Sequence, residues 1–369
     1  MNLSRLHITD FRNLASARLS PGSGFNLLIG DNGAGKSSIL EAIHTLGTGK
    51  SFRVSQTAPL VRVGCDRFSL YAELQGQQVA VGIEKALDHG SHIVINGDRV
   101  HSASQLASLL PVQHLTLQDF QLFEGGPKMR RRFLDWGVFH VEQQHAGEVF
   151  RRFERAIKQR NSVLKSGKIS AQERLAWDQE FIKASAQLDE FRTQYVERLM
   201  TSYQRLCETT PDLAFGQPMV MEYVPGWDRK LSLEEALSRR TVQDRERRTG
   251  TTQMGPHRAD LKISWHGMPA RDMLSRGQMK MFGHGLKLAQ IHCLAESGQH
   301  HLPVILLDDL AAELDTKHLT DLLKLITSFQ TQVFLTVLRD SQLPDPNQWR
   351  GDADITKFRV DQGQVHPIT

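Results

Sequence analysis

Gly30-Asp31-Asn32-Gly33-Ala34-Gly35-Lys36-Ser37 has the spacing G-x-x-x-x-G-K-S, a pattern that can hold a polyphosphate. The glycines let the backbone curl so that successive N–H groups face a phosphate. Lys36 brings a point charge to the β- and γ-phosphates, and the Ser37 hydroxyl can ligate Mg²⁺. ATP with Mg²⁺ is the expected cofactor pair. A glycine-rich surface turn is the alternative, but the context argues against it. Phe25 to Ile29 reads as a buried strand just before the motif, and Ile39, Ala42, Ile43 and Leu46 mark one helix face just after it. The phosphate-binding candidates are Gly30, Asp31, Asn32, Gly33, Ala34, Gly35, Lys36, Ser37 and Ser38.

Such a loop needs a carboxylate at the end of a neighbouring strand. Val304-Ile305-Leu306-Leu307 is an uninterrupted apolar run, as a strand buried on both faces requires, and it ends in Asp308-Asp309. Asp308 is the metal candidate. Asp309 is placed to orient or deprotonate an attacking water. Ser275, Gly277 and Gln278 open another long helical pattern, where free N–H groups and the helix dipole could meet an anion. Taken alone, Ser275 would be an ordinary N-cap.

These residues need elements to hold them. Up to about residue 125 the chain alternates strand-like runs with turns: Leu6/Ile8, Phe25 to Ile29, Phe68 to Leu74, Val79 to Ile83 and Ile93 to Ile95, the last followed by a hairpin signal, Asn96-Gly97. From about Arg130 to Cys207 the period turns helical. Trp177, Phe181, Leu188, Phe191, Tyr195, Leu199, Tyr203 and Leu206 recur at helical spacing, as helix–helix packing requires. Ser166-Gly167-Lys168 breaks the pattern, which predicts two antiparallel helices, the second reaching roughly 50 Å. Strand-like runs return in Leu261 to Trp265, Val304 to Leu307 and Val333 to Val337, with a helix over about Gln278 to Glu296. The plan is an α/β domain over 1–125 and 250–369, interrupted by a helical arm over 126–249.

The 369 residues are 40% hydrophobic, enough for one large domain or two modest ones. Cys65, Cys207 and Cys293 are too scattered for a disulfide framework or a metal site, so a reducing cytoplasm is expected. No apolar run approaches the length of a membrane span, and the first residues carry no apolar signal core, so neither export nor membrane insertion is expected. The net charge of +4 comes with clustered bases. One cluster is Lys128, Arg130, Arg131 and Arg132, continuing through Arg151, Arg152, Arg155, Lys158 and Arg160; the other is Arg239, Arg240, Arg245, Arg247 and Arg248. They suit a polyanion, and no finger or helix-turn-helix spacing points to base readout. The candidates to contact a polyanion, DNA if the resemblance described next holds, are Arg53, Arg62, Arg245, Arg247 and Arg248.

The phosphate loop, Ser275-Arg276-Gly277-Gln278 opening a helix, Leu307-Asp308-Asp309 and Ala312-Glu313-Leu314-Asp315 together resemble the ABC-type P-loop ATPase heads of the SMC class. Ile8 to Asn13, Gly49 to Arg53, Gly125 to Asp135 and Gly255 to Asp260 narrow the resemblance to the RecF family, nearly end to end. It implies a head built from both chain ends with an inserted helical domain. It implies Arg12 and Asn13 at the nucleotide, and ATP-dependent homodimerisation in which Ser275 of one copy faces the γ-phosphate held by Lys36 of the other. The implied partners are gapped DNA with single-strand/double-strand junctions, and RecO and RecR in loading RecA. Gln118, or alternatively Gln113, stands for the Q-loop glutamine at the metal, and Thr336 for the γ-phosphate switch residue. Met279 replaces the family's second helix-opening Gln, and Gly283 and Gly285 weaken the helix that follows. Two other functions share the P-loop: the ATPase subunit of an ABC transporter, and a nucleotide-gated structural clamp that barely hydrolyses ATP. A transporter subunit would usually carry Glu where Asp309 stands.

Overall fold

Period-two alternation builds the first sheet. In β1 (Asn2–Phe11) Leu6 and Ile8 are buried, in β4 (Arg67–Gln75) Phe68, Leu70, Ala72 and Leu74, and in β5 (Val79–Ala86) Val79, Val81 and Ile83. With β2 (Leu14–Leu19), β6 (Gly90–Ile95) and β7 (Asp98–Val100) they form an antiparallel sheet ordered β2-β1-β4-β5-β6-β7. Asn96 (φ 51°) and Gly97 (φ 88°) make the two-residue turn between β6 and β7, and both need the left-handed region that this turn type imposes. This computed structural model describes residues 2–76, 78–88, 90–166, 171–210, 219–298, 301–312 and 314–368.

Continuous apolar runs build the second sheet. It is ordered β15 (Gln364–Ile368), β14 (Ile355–Asp361), β3 (Phe25–Ile29), β13 (Val333–Val337), β12 (Val304–Leu307), β8 (Val112–Leu115). All its pairings are parallel except β14 with β15. Between the sheets lies α1 (Lys36–Thr48). Its Ile39, Leu40, Ala42, Ile43 and Leu46 share one core with Ile8 and Leu70 on one side and Leu28, Leu306 and Phe334 on the other. Gln332 staples distant segments together: its amide bonds both the N–H and the C=O of Leu3 and donates to Gly22 O. Two further helices, α2 (Ala103–Leu109) and α10 (Thr316–Ser328), belong to the same compact unit, which comprises Met1–Asp119 and Leu294–Thr369.

The other unit is Phe120–Cys293. Its two long helices are α4 (Pro127–Ser166), after the short α3 (Gln121–Glu124), and α5 (Ala171–Thr209). Ion pairs Asp135–Arg192, Arg152–Glu180 and Arg160–Asp178 show that α4 and α5 run antiparallel. At 1.5 Å per residue α5 spans about 58 Å. The expected turn residues Gly167 and Lys168 lie outside the described residues. Helical geometry breaks inside α4 at Gln143 (φ 42°, ψ −110°), an interruption that the apolar spacing does not announce. Phe181, Leu188, Tyr195, Leu199, Tyr203 and Leu206 are buried, so the aromatic stripe is packing. Phe153, Phe181 and Leu188 share a core with Leu233 and Leu237 of α6 (Leu233–Ser238) and Val242 of α7 (Arg240–Thr249).

Residues 250–293, expected with the α/β domain, cluster instead with the helices. Two sets of contacts account for this. First, β10 (Asp260–Trp265) pairs with β9 (Val220–Val224), and β11 (Met268–Pro269) completes that small sheet. Second, Arg130 grips Asp260 with both ends of its guanidinium (2.7 and 3.0 Å), Arg131 donates to Ala259 O (2.7 Å), and Arg192 donates to Pro256 O (2.8 Å). After α8 (Ala270–Met273), α9 (Arg276–Glu296) belongs to this unit as far as Cys293, and its Gln290 bonds Phe133 O and Tyr195 Oη. Gly283 and Gly285 do not interrupt α9.

Several bases read as a polyanion cluster are therefore structural. Arg130, Arg131 and Arg152 are half-buried and spent on protein acceptors. Arg160 is buried among Asp178, Glu246 and Thr252. Such a guanidinium is held only by complete pairing, and removing it strands a buried carboxylate. Arg160→Ala should cost about 3–5 kcal/mol through the unpaired Glu246. Urea unfolding followed by tryptophan fluorescence checks this, and a midpoint equal to wild type would contradict it.

Candidate nucleotide site

Parallel register brings the carboxyl ends of the central strands level. Ile29 pairs with Val337, and Leu307 with both Leu335 and Leu115, so the segments after β3, β12 and β8 leave the sheet on one edge. Ligands in open α/β sheets bind at that edge. Between β3 and α1 the backbone turns through Gly33 (φ 80°) and Gly35 (φ 116°). A Cβ on Gly30 would fall 2.0 Å from Val360 O, and one on Gly35 2.8 Å from Leu14, so neither position admits a side chain. Lys36 lies back along the loop, its Nζ donating to Gly30 O (2.6 Å) and Asp31 O (2.9 Å). Asn13 braces the loop from the β1–β2 turn: its Nδ2 donates to Gly33 O (3.0 Å) and its Oδ1 accepts from Ser38 Oγ (2.7 Å).

Asp308 stands where β12 ends. It accepts from Ser37 Oγ (2.8 Å), has Thr336 Oγ1 3.1 Å away, and is paired with Arg53 (3.2 Å). Burial pushes the Asp308 carboxyl above its ordinary range and the neighbouring Asp309 charge adds to this, against the Ser37 hydroxyl, Arg53 and Thr336. Asp309 takes a left-handed backbone (φ 55°), with its N–H on Thr336 Oγ1 (2.8 Å). Thr336 is fully buried in β13 and thus joins both acids.

The cleft above these groups has a volume of about 910 Å³, room for a nucleotide. Its walls include Asp31, Asn32, Gly33, Lys36, Ser37 and Asp309, together with Arg12, Arg53 and Arg62. Arg12 forks onto Glu41 (2.9 and 2.7 Å) and donates to Pro59 O. Arg62 lies 3.5 Å from Asp10. Arg53, read from the sequence as a DNA contact, thus sits in the cleft on a site carboxylate. Sequence reading missed Glu41, Ser51 and Phe52; only the Gly49 to Arg53 segment hinted at the last two.

Gln118 is exposed in the turn just after β8, whereas the alternative, Gln113, is buried within β8 itself. In the other unit, Ser275 and Gln278 cap α9 reciprocally: Ser275 N–H donates to Gln278 Oε1 (2.9 Å) and Gln278 N–H to Ser275 Oγ (3.2 Å). Ser275, Arg276 and Gly277 are exposed. Arg245, Arg247 and Arg248 are exposed on α7, where Arg247 lies 3.8 Å from Asp244. Glu246, an acid that could have neutralised them, faces Arg160 instead. Glu313 lies outside the described residues. Among the described residues no helix is long and apolar enough to cross a membrane.

Residues 2–353 match the family model of the RecF/RecN/SMC N-terminal domain. The chain is 38% identical over 368 residues to the DNA replication and repair protein RecF of Pseudomonas fluorescens, covering 99% of this chain and 98% of that one. Its identity to the RecF of Pseudomonas aeruginosa is 39% over 374 residues, at 100% and 98% coverage. A solved structure of the recombination mediator protein RecF-ATP in the RecFOR pathway superposes with a TM-score of 0.86 at 25% identity, over 100% of this chain and 97% of that one. An SMC head bound to the C-winged helix domain of ScpA shares the fold (TM-score 0.55, 15% identity, 100% and 97% coverage).

The raised Asp308 carboxyl has a consequence for stability. A folded-state pKa above the unfolded value means that folding favours the protonated acid. That contribution is present at low pH and is lost as pH rises through the folded-state value. Near neutrality the carboxylate therefore burdens the fold. Asp308→Asn should melt higher than wild type at pH 7, with the gain shrinking as pH falls toward the ordinary aspartate value of about 3.9. Calorimetric melting at several pH values checks this; a mutant that melts lower at pH 7 would contradict it.

Proposed function

This chain belongs to the RecF family of the RecF/RecN/SMC N-terminal domain proteins, and from that premise we propose an ATP-driven DNA clamp that dimerises on gapped DNA and hydrolyses ATP slowly, stimulated by DNA. The membership makes it an ABC-type ATPase of DNA replication and repair. The observation that carries the mechanism is the convergence of Ser37, Asp308 and Thr336 at the mouth of the phosphate loop.

Ser37 Oγ and an Asp308 oxygen, 2.8 Å apart, are hard oxygen donors of the kind Mg²⁺ takes, and Mg²⁺ usually completes its shell with phosphates and waters. Bound Mg²⁺ would neutralise charge building on the β- and γ-phosphate oxygens. Lys36 exchanges its two carbonyl acceptors for those oxygens, and the loop N–H groups other than those of Gly30 and Ala34, which bond Val337 O and Asp31 O, cradle them. Asp309 takes the proton of the attacking water, held by the Thr336 contact to its backbone. Gln118 lies beyond the adjacent strand end, as a Q-loop residue should. Ser275, with Gly277 and Gln278 at the exposed start of α9, completes the site of a second copy, where the helix dipole meets the γ-phosphate. By the family's role the partners are DNA at single-strand/double-strand junctions, with RecO and RecR in loading RecA. The full-length RecF relatives leave no ground for the transporter reading.

Asp309→Asn keeps the shape and removes the base, so ATP should bind and the dimer persist. Ser275→Arg puts a cation against the positive helix end and should bind ATP without dimerising. Sedimentation with ATP and gapped DNA reads both. Wild-type turnover by Asp309→Asn, or an ATP-dependent dimer of Ser275→Arg, would overturn these roles. A nucleotide-gated clamp with negligible hydrolysis would instead show equally slow single-turnover cleavage in wild type and Asp309→Asn.

DNA binding should be sequence-nonspecific, and its log affinity should fall by about 0.9 per phosphate contact for each unit of log salt. Replacing Arg245, Arg247 and Arg248 with Ala should flatten that slope in the ATP state. An unchanged slope would remove α7 from the DNA path.

A further inference from the structure

We infer that Glu41 is a positioning residue whose single buried carboxylate sets two arginines, Arg12 and Arg53, on the nucleotide cleft; this rests on the ATPase reading above. Glu41 lies four residues beyond Ser37, one turn down the same face of α1. Its side chain has no exposure at all. A buried carboxylate is tolerated when donors saturate it, and here Arg12 Nε, Arg12 Nη2 and Ser51 Oγ do so.

Each donor leads to the cleft by a different route. Arg12 sits in a left-handed turn (φ 56°) after β1, and its planar fork is held by Glu41 and Pro59 O. Ser51 spends its hydroxyl proton on Glu41, and its oxygen accepts the N–H groups of Arg53 (2.9 Å) and Val54 (3.0 Å). That fixes the loop after α1. Phe52 anchors the same loop between His44 and His114, with ring centroids 5.2 and 3.9 Å away. Arg53 is thereby carried to Asp308. Neutralising Arg12 alone would require no contact with Ser51. Because one carboxylate holds both, a change at Arg12 is transmitted to Arg53 and so to the acid that meets Ser37.

Glu41→Gln keeps the shape but sets an amide N–H against a donor. It should weaken binding of a fluorescent ATP analogue about tenfold and lower kcat about tenfold, as loss of a charge-assisted bond does. Two backgrounds separate positioning from general damage. In Arg12→Ala, adding Glu41→Gln should leave Kd where it is. In Arg53→Ala, adding it should leave kcat where it is. Ser51→Ala keeps the Arg12–Glu41 pair, so it should lower kcat while Kd stays within about twofold. Independent, multiplying effects in both backgrounds would overturn the role. Should Glu41→Gln fail to fold, Ser51→Ala decides, and a wild-type kcat there overturns it. Lys36→Ala reports on the ATPase reading. If wild type binds the analogue no better than Lys36→Ala, both proposals fall; tight Lys36-dependent binding with multiplying Glu41 effects defeats only the second.

Discussion

The hydrogen bond from Ser37 Oγ to Asp308, 2.8 Å long between residues 271 positions apart, holds only if β3 and β12 end level with β13 between them. A slip of one residue in either pairing would turn Thr336 to the opposite face of the sheet and draw the two acids away from the phosphate loop. The apolar runs of β3, β12 and β13 suit this central place in the sheet, because each is buried on both faces. Gly30 and Gly35 then let the loop close down on Val360 and Leu14, which no side chain at those positions would permit. Fold and chemistry share one constraint here: the strands that make the core also set the distance between hydroxyl and carboxylate.

Charge is arranged with equal economy. Arg12, Arg130, Arg160 and Arg192 each place a planar fork on a carboxylate, and only Arg's geometry makes such pairs bidentate. Asp135 shows the balance: burial pushes its carboxyl up, while Arg192 pulls the other way. The Arg130 and Arg192 contacts join segments far apart in sequence, 130–135 with 192 and 256–260. They explain why Gly125 to Asp135 and Gly255 to Asp260 stand out as motifs without lining the nucleotide cleft.

What could be read beforehand was whatever obeys a local rule. The phosphate loop, the apolar run into Asp308 and the aromatic stripe of α5 each carry their own period or spacing. The Asn96-Gly97 turn likewise reports its own backbone. What could not be read depends on partners distant in the chain. The four residues of β8 are too short to show a period, and β14 alternates like an exposed strand although it lies beside β3. The base clusters look alike in sequence, and only the fold separates Arg160 from Arg245. Glu41 interrupts an apolar helix face and by composition alone would pass for a solvated acid. Asp309 adds a conformational point: its left-handed backbone is one that Asp tolerates better than most residues, because its short polar side chain can bond locally.

The Gln332 staple bears on the order in which the molecule can be made. Its amide closes on Leu3 and Gly22, and β3 lies between β13 and β14, so the first unit lacks its central partners until residues beyond 330 have left the ribosome. The unit from Phe120 to Cys293 is contiguous, the carboxylate pairs of Arg130, Arg160 and Arg192 are complete by residue 260, and it can fold while synthesis continues. Through that interval Phe25–Ile29 is an apolar strand with neither neighbour present, the kind of segment that holding chaperones cover. Slow, late closure of this sheet is the kinetic cost of placing the two halves of one phosphate site near opposite ends of a chain.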